Sequence, residues 1–214
     1  THPIYSTMPQ SLLGIHNLTT KLTKILFTHI KHSLPDIMNE IKKVPGVLSG
    51  QEITELINKN IISSDHKINK DIIQPASIDL RLGLKAWRVP ASFLPGKGNL
   101  VSDRLKNFAM HEFSLVDGAV LECGCVYIVK LLENVALTDD LTGVANPKSS
   151  TGRLDVFTRL IVDGAQEFED VPAGYSGPLY VEISPRTFSI LVRTGSRLNQ
   201  LRIRRGYSVT TDKE

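Results

Sequence analysis

Apolar residues recur with two different periods along the chain of 214 residues. The first 43 residues carry a helical period. Leu18, Leu22, Ile25, Leu26 and Ile30 share one face, and Lys21, Lys24 and Lys31 occupy much of the other. Pro35 breaks that helix, and a second short one runs through Ile37, Met38 and Ile41. The pattern predicts a helical N-terminal extension over residues 1–44, packed on a neighbour or lying loose; a membrane-surface or targeting helix is the alternative. A better-defined helix is predicted from Ser49. Ser49 and Glu52 make a capping box, Ile53, Leu56 and Ile57 form the apolar stripe, and Asn60 is the stop.

From Gln74 onward the period falls to two. Ile78, Leu80, Leu82 and Leu84 alternate with Asp79, Arg81 and Lys85. Val120 to Leu132 is apolar and rich in valine. Leu179, Val181 and Ile183 alternate with Tyr180, Glu182 and Ser184. Phe188–Val192 and Leu198–Ile203 give two more strands. Turn clusters separate them, among them Pro95-Gly96-Lys97-Gly98-Asn99 and Asp139-Asp140. Many short strands and few helices predict a mainly β domain over residues 45–214, a barrel or double-sheet jelly roll.

Composition narrows the class. Apolar residues make up 41%, charged residues 22%, and the net charge is +3, which describes a soluble globular protein. So mild a basicity suits a phosphorylated ligand and is too weak to argue for nucleic acid. No run of about 18 apolar residues is present to span a membrane, and no secretory signal core opens the chain, so the expectation is cytoplasmic. Cys123 and Cys125 stand one residue apart, on one face if they lie in a strand. Metal sites space their cysteines further apart, so two reduced, buried thiols are expected rather than a metal or redox pair.

Three segments could carry chemistry. Asn146-Pro147-Lys148-Ser149-Ser150-Thr151-Gly152-Arg153-Leu154 reads as a turn opening a short helix. Free N–H groups, two hydroxyls and two cations there could cradle a phosphate, although a Ser/Thr-rich turn is more often a plain cap. Val171 to Ile183 is a glycine-rich turn leading into a strand, with Glu182 on the face opposite Leu179, Val181 and Ile183. Taken alone, Glu182 reads as a solvent-facing charge. Gln74 to Gly83 carries either a buried Asp79–Arg81 network or a half-exposed edge strand.

Taken together and in this order, the three segments resemble the dCTP deaminases of the dUTPase-like superfamily. The matching residues are Ala76–Gly83, then Ser149-Ser150 with Arg153-Leu154, then Gly174-Tyr175-Ser176-Gly177 and its strand with Glu182, and last Arg193-Thr194-Gly195 leading to Gln200-Leu201. The resemblance covers about Pro45 to Gly206 and is closest to the first domain of a longer, tandem bacterial form. It implies a dUTPase-like distorted jelly roll or β-barrel, the β-clip. It implies hydrolysis of dCTP to dUTP and ammonia in supplying pyrimidine deoxynucleotides, with Glu182 as base and Ser149 and Arg153 polarising base and water. Lys148, Ser150, Thr151 and Gly152 would grip the triphosphate, with Gln200 among the nucleotide-binding positions. The backbone at Tyr180 and Val181 would read the base edge, and Pro172 and Tyr175 would border the sugar. Mg²⁺ would come with the triphosphate rather than through protein ligands. The His-x-Glu and Pro-Cys-x-x-Cys of zinc deaminases are absent, so no zinc is expected. The same resemblance implies a homotrimer, or a pseudo-trimer of tandem copies, with dUTP and dTTP as further ligands.

The departures keep alternatives open. Where dUTPases carry the aspartate that activates water, this chain has Pro172, with Asp170 at the wrong offset. A dUTPase or bifunctional deaminase–dUTPase is therefore the second reading. Asp155 to Asp170 is longer than in short deaminases, and Gly164, Glu167, Glu169 and Asp170 suggest an exposed excursion. After Gly206 only a short polar tail follows, so a lid would come from a neighbouring chain. Failing that, the chain is a non-catalytic nucleotide-binding module or a fragment.

Overall fold

The computed structural model describes residues 45–206. The helices expected before Pro45 lie outside the described residues. Two antiparallel sheets and a small ribbon form the framework of the described part, their strands numbered here in chain order. The first sheet runs β11 (Asp170–Val171), β9 (Leu141–Pro147), β14 (Asn199–Arg205), β4 (Ser77–Leu80) and β3 (Ile73–Gln74), and β1 (Gly46–Val47) also pairs with β14. The second runs β10 (Val156–Val162), β12 (Ser176–Pro185), β8 (Val126–Ala136), β5 (Leu82–Val89) and β6 (His111–Ser114), with β2 (Ile62–Ser64) also on β8. β7 (Ala119–Leu121) and β13 (Ile190–Val192) form the ribbon. The mainly β expectation holds: double-sheeted, with few helices.

The three α-helices among the described residues begin as local chemistry allows. α1 (Gly50–Asn58) starts at the expected capping box: Glu52 N–H donates to Ser49 Oγ, and Ser49 N–H donates to Glu52 Oε2 at 3.0 Å. Its stripe is buried through Ile53 and Leu56, and Asn60 turns out of the helix at φ 56°. α2 (Val101–Phe108) lies in the excursion joining β5 to β6 and has no cap of its own, because Leu100 precedes it. Its cap comes from β10's far end, where Val101 N–H donates to Asp163 Oδ1 at 2.7 Å. α3 (Ser149–Arg153) is the short helix expected after Asn146.

Several expectations of exposure are overturned. Leu84 was placed with the buried set, yet it is 48% exposed. The register between β5 and β8 shifts by two positions between Leu82 and Ala86, so Leu84 falls within the irregularity and is turned out although Leu82 and Ala86 stay buried. Gly83 sits at that shift. A Cβ there would stand 2.3 Å from the Lys130 carbonyl oxygen, so only glycine lets the two strands approach. Cys123 and Cys125 are free, but they flank the turn at Gly124 instead of sharing a strand face. Cys123 is exposed and Cys125 half-buried, because a tight turn projects them outward. The acidic run is not uniformly exposed: Glu167 and Asp170 are, but Glu169 folds back half-buried at φ 68°, its N–H on the Leu160 carbonyl.

Asp79 and Arg81 do not form one network, and β4 is no edge strand, since it lies between β14 and β3. Asp79 pairs with Lys148. Arg81 donates from Nε to Glu133 Oε1 at 2.6 Å, and its backbone N–H binds Glu133 Oε2 at 2.7 Å. Glu133 is fully buried, and its desolvation holds the carboxyl above the ordinary range although Arg81 pulls it down.

Candidate active site

β12 is buried on both faces, which places Glu182 where simple alternation did not. Val181 and Ile183 point into the core beside Val129, Tyr127, Leu160 and Thr158, their register partners. Glu182 points the other way, in a row formed by Trp87, Ile128 and Arg159 of the adjoining strands. Directly opposed residues share a face. That face would be solvent, but the β5–α2 excursion covers it, and Glu182 is only 1% exposed.

The buried carboxylate is held on both oxygens. Arg159 donates to Oε1 from Nη2 at 2.7 Å and from Nε at 3.2 Å. Ser92, in the excursion, donates its hydroxyl proton to Oε2 at 2.5 Å and accepts from Arg159 Nη2. The Arg159 guanidinium is in turn stacked over the Phe168 ring, 3.6 Å from its centroid. Sequence reasoning missed both Ser92 and Arg159. Arg159 had a signal, as the lone charge in the largely apolar stretch Val156–Val162. Ser92 had none, because an irregular segment gives no period to place its side chain.

A second polar constellation lies on the first sheet. Gln74, Ser77, Asp79, Lys148, Ser149, Gln200 and Arg202 line a cleft of about 370 Å³. Lys148 Nζ pairs with Asp79 Oδ2, and Ser77 Oγ donates to Gln200 Oε1 at 3.2 Å. Asp79 is 1% exposed, and its Oδ1 has no partner among the described residues. Lys148 and Gln200, expected to bind nucleotide, and Ser149, expected to polarise base and water, therefore meet in one place. Ser150, Gly152 and Arg153 are exposed on α3, and Thr151 is buried.

Within one chain, Ser149 and Arg153 are not brought to Glu182. β10 starts with Val156 opposite Pro185, three positions beyond Glu182 along β12, or about 10 Å. α3 lies before that start. Neither Ser149 nor Arg153 is among the groups bonded to the carboxylate.

Pro172 and Tyr175 close a turn, with Tyr175 N–H on the Pro172 carbonyl at 3.2 Å and Gly174 at φ 71°. Pro172 is exposed. The Tyr175 ring is half-buried, its hydroxyl donates to the Pro178 carbonyl at 2.7 Å, and burial pushes the phenol well above its usual range. A Cβ at Gly177 would stand 2.7 Å from that hydroxyl, so a larger residue there would push the Tyr175 ring aside. Tyr180 shares Glu182's face, is pushed up to about 12 by burial, and lines an open cleft with Trp87, Leu105 and His111. The backbone at Val181 is paired on both sides, with Leu160 and Val129, while the register with β8 shifts between Pro178 and Tyr180. Among the described residues no group of three or more His, Cys, Asp or Glu side chains is gathered to hold a metal.

Comparison with known proteins adds to this geometry. The profile of the 2'-deoxycytidine 5'-triphosphate deaminase (DCD) N-terminal domain matches residues 44–207. A profile of the dynamin central region matches residues 1–67, most of which lie outside the described residues. A crystal structure of 2'-deoxycytidine 5'-triphosphate deaminase from Agrobacterium tumefaciens is 57% identical and superposes with a TM-score of 0.75. That match covers 76% of this chain and 49% of the Agrobacterium one, so the chain spans about half of that relative's length. A dCTP deaminase of Haloarcula marismortui is 28% identical over 159 residues, 72% of this chain and 78% of its own. With the profile covering nearly all of the described residues, the chain belongs to the family of the 2'-deoxycytidine 5'-triphosphate deaminase N-terminal domain.

Proposed function

We propose that this chain supplies the catalytic carboxylate and the phosphate-binding cleft of a zinc-independent dCTP deaminase. The observation that carries the reading is Glu182, a carboxylate buried on a central strand and fixed by Arg159 and Ser92. A buried, oriented carboxylate suits general base work on water. Glu182 takes a proton from water as the oxygen adds to C4 of the cytosine. It returns that proton to the exocyclic nitrogen and ammonia leaves, while the remaining hydroxyl proton passes to N3, so that the C4 carbonyl of dUTP forms. Arg159, bonded to Oε1, fixes the direction in which the carboxylate faces. The cleft of Lys148, Ser149, Gln200 and Arg202 fits a triphosphate by charge and hydrogen-bonding donors. Mg²⁺ held on the phosphate oxygens would offset their charge there.

Since α3 is separated from Glu182 within one chain, Ser149 and Arg153 act on this reading from a second copy. We take that copy to be part of a homotrimer or a tandem pseudo-trimer. The reading carries with it a role in supplying dUTP, and a cytoplasmic setting for a nucleoside triphosphate substrate. Among the described residues no helix is long and apolar enough to cross a membrane.

A second reading, a module that binds nucleotide without turning it over, is favoured by one observation. Both Glu182 oxygens already have donors, and no catalytic partner from α3 reaches them. Incubating the full chain with dCTP and Mg²⁺, with products resolved by ion exchange, separates these readings. The expected product is dUTP. Direct formation of dUMP makes the protein bifunctional, and no product with a raised melting temperature in dCTP favours the binding module.

A further inference from the structure

We propose that Ser92 is a positioning residue for Glu182, aiming its carboxylate and shielding it from solvent. The proposal rests on Glu182 being the base. Ser92 lies just beyond β5, in the excursion that covers the outer face of the second sheet, and outside every segment that pointed to function from sequence.

The hydroxyl has one proton, and its two partners fix where that proton points. Arg159 can only donate, so the contact from Nη2 fills a lone pair of Ser92 Oγ. The Ser92 proton is left for Glu182 Oε2. Arg159 meanwhile grips Oε1. The final torsion of a glutamate is broad and weakly preferred. Two donors on opposite oxygens hold that torsion in one setting, and removing Ser92's donor leaves only the Oε1 side held.

Ser92 is also where the carboxylate meets solvent. Glu182 is 1% exposed, whereas Ser92 belongs to an exposed stretch with Pro90 and Ala91. The excursion beyond it is tied down. Phe93 packs edge-on to Phe108 at 5.3 Å, Gly96 N–H binds the Ala165 carbonyl, and Gly164 N–H binds the Asn99 carbonyl. Ser92 can thus change rotamer without the rest of the excursion moving. Held in place, it keeps bulk water off Oε2; turned away, it opens Oε2 to the attacking water.

The test uses the full chain as Ser92→Ala, Ser92→Thr and Glu182→Gln. Ser92→Ala is expected to lower kcat for dCTP about tenfold with KM within twofold, and Ser92→Thr, which keeps the hydroxyl, to restore it. Labelling by a water-soluble carbodiimide, mapped to Glu182 by mass spectrometry, gives a readout independent of turnover. It is expected to be at least tenfold faster in Ser92→Ala than in the wild type or Ser92→Thr. Equal labelling rates overturn the proposal, as does an unchanged kcat or a Ser92→Thr variant as slow as Ser92→Ala. Full activity in Glu182→Gln sinks the parent reading instead, and the labelling then still decides whether Ser92 shields the carboxylate.

Discussion

Lys148 and Asp79 form an ion pair across two strands that are not neighbours. Lys148 follows β9, Asp79 lies in β4, and β14 runs between them, with Gln200 opposite both Asn146 and Asp79. The pair therefore bridges three strands at one end of the first sheet. Lys148→Met leaves a buried carboxylate held only by weaker contacts from Gln74 and Arg197. We expect it to lose about 2 kcal/mol of stability, and the double variant with Asp79→Asn to recover most of that. A denaturant-unfolding cycle checks this; a double variant as unstable as the sum of the singles contradicts it.

Glu182→Gln keeps the shape of the side chain and its contact with Ser92, but cannot take a proton from water. It is expected to fold normally and to lower ammonia release from dCTP at least a hundredfold. Circular dichroism together with an ammonia assay decides the matter.

Glu169 links pH to stability. Desolvation pushes its carboxyl to about 7, against an ordinary value of 4.5, and Oε2 has no hydrogen-bond partner among the described residues. The folded protein binds this proton more tightly than the unfolded chain does. Its contribution is therefore full below pH 4.5 and is lost as pH rises toward 7. Glu169→Gln should flatten the stability profile across that window and raise the melting temperature at pH 8 by about 2–4 °C, which is about 1 kcal/mol after discounting for partial exposure. Melting curves from pH 4.5 to 8 test it, and a lower melting temperature at pH 8 would count against it.

Arg81 compensates the fully buried Glu133. Arg81→Ala strips that charge of its partner and also releases the loop carbonyls of His66 and Lys67. The expected loss is about 3–5 kcal/mol, larger than that at Lys148, because Glu133 keeps no other cation among the described residues. Urea unfolding of the two variants side by side gives the ranking.

How legible all this was in the sequence depended on whether a feature is local. The Ser49–Glu52 box, the Pro95–Asn99 turn and the helix after Asn146 depend on neighbouring residues, and each formed where expected. Period two located the strands but misjudged their faces. The alternation carries Leu84 inward with Leu82, but the irregularity at Gly83 turns it out while Leu82 and Ala86 on either side stay buried. Glu182 read as solvent-facing because its cover comes from a segment about 90 residues earlier, which no periodicity reports. Arg159 and Ser92 were missed for the same reason: what makes them part of a site is a cross-sheet register and a loop crossing, both of them tertiary.

The remote cap on α2 has a consequence for the order of assembly. An isolated eight-residue helix is unstable in water, and this one takes its terminal acceptor from Asp163, 62 positions later. Its cap is missing until β10 is in place, so α2 forms after the strand that holds its first turn. By the same token it can detach while that sheet stays intact. Amides of residues 101–108 are thus expected to exchange with deuterium faster than those of β8, and Asp163→Ala to quicken them further while leaving β8 protected. The helix would then melt locally, its eight residues together, without unfolding the domain.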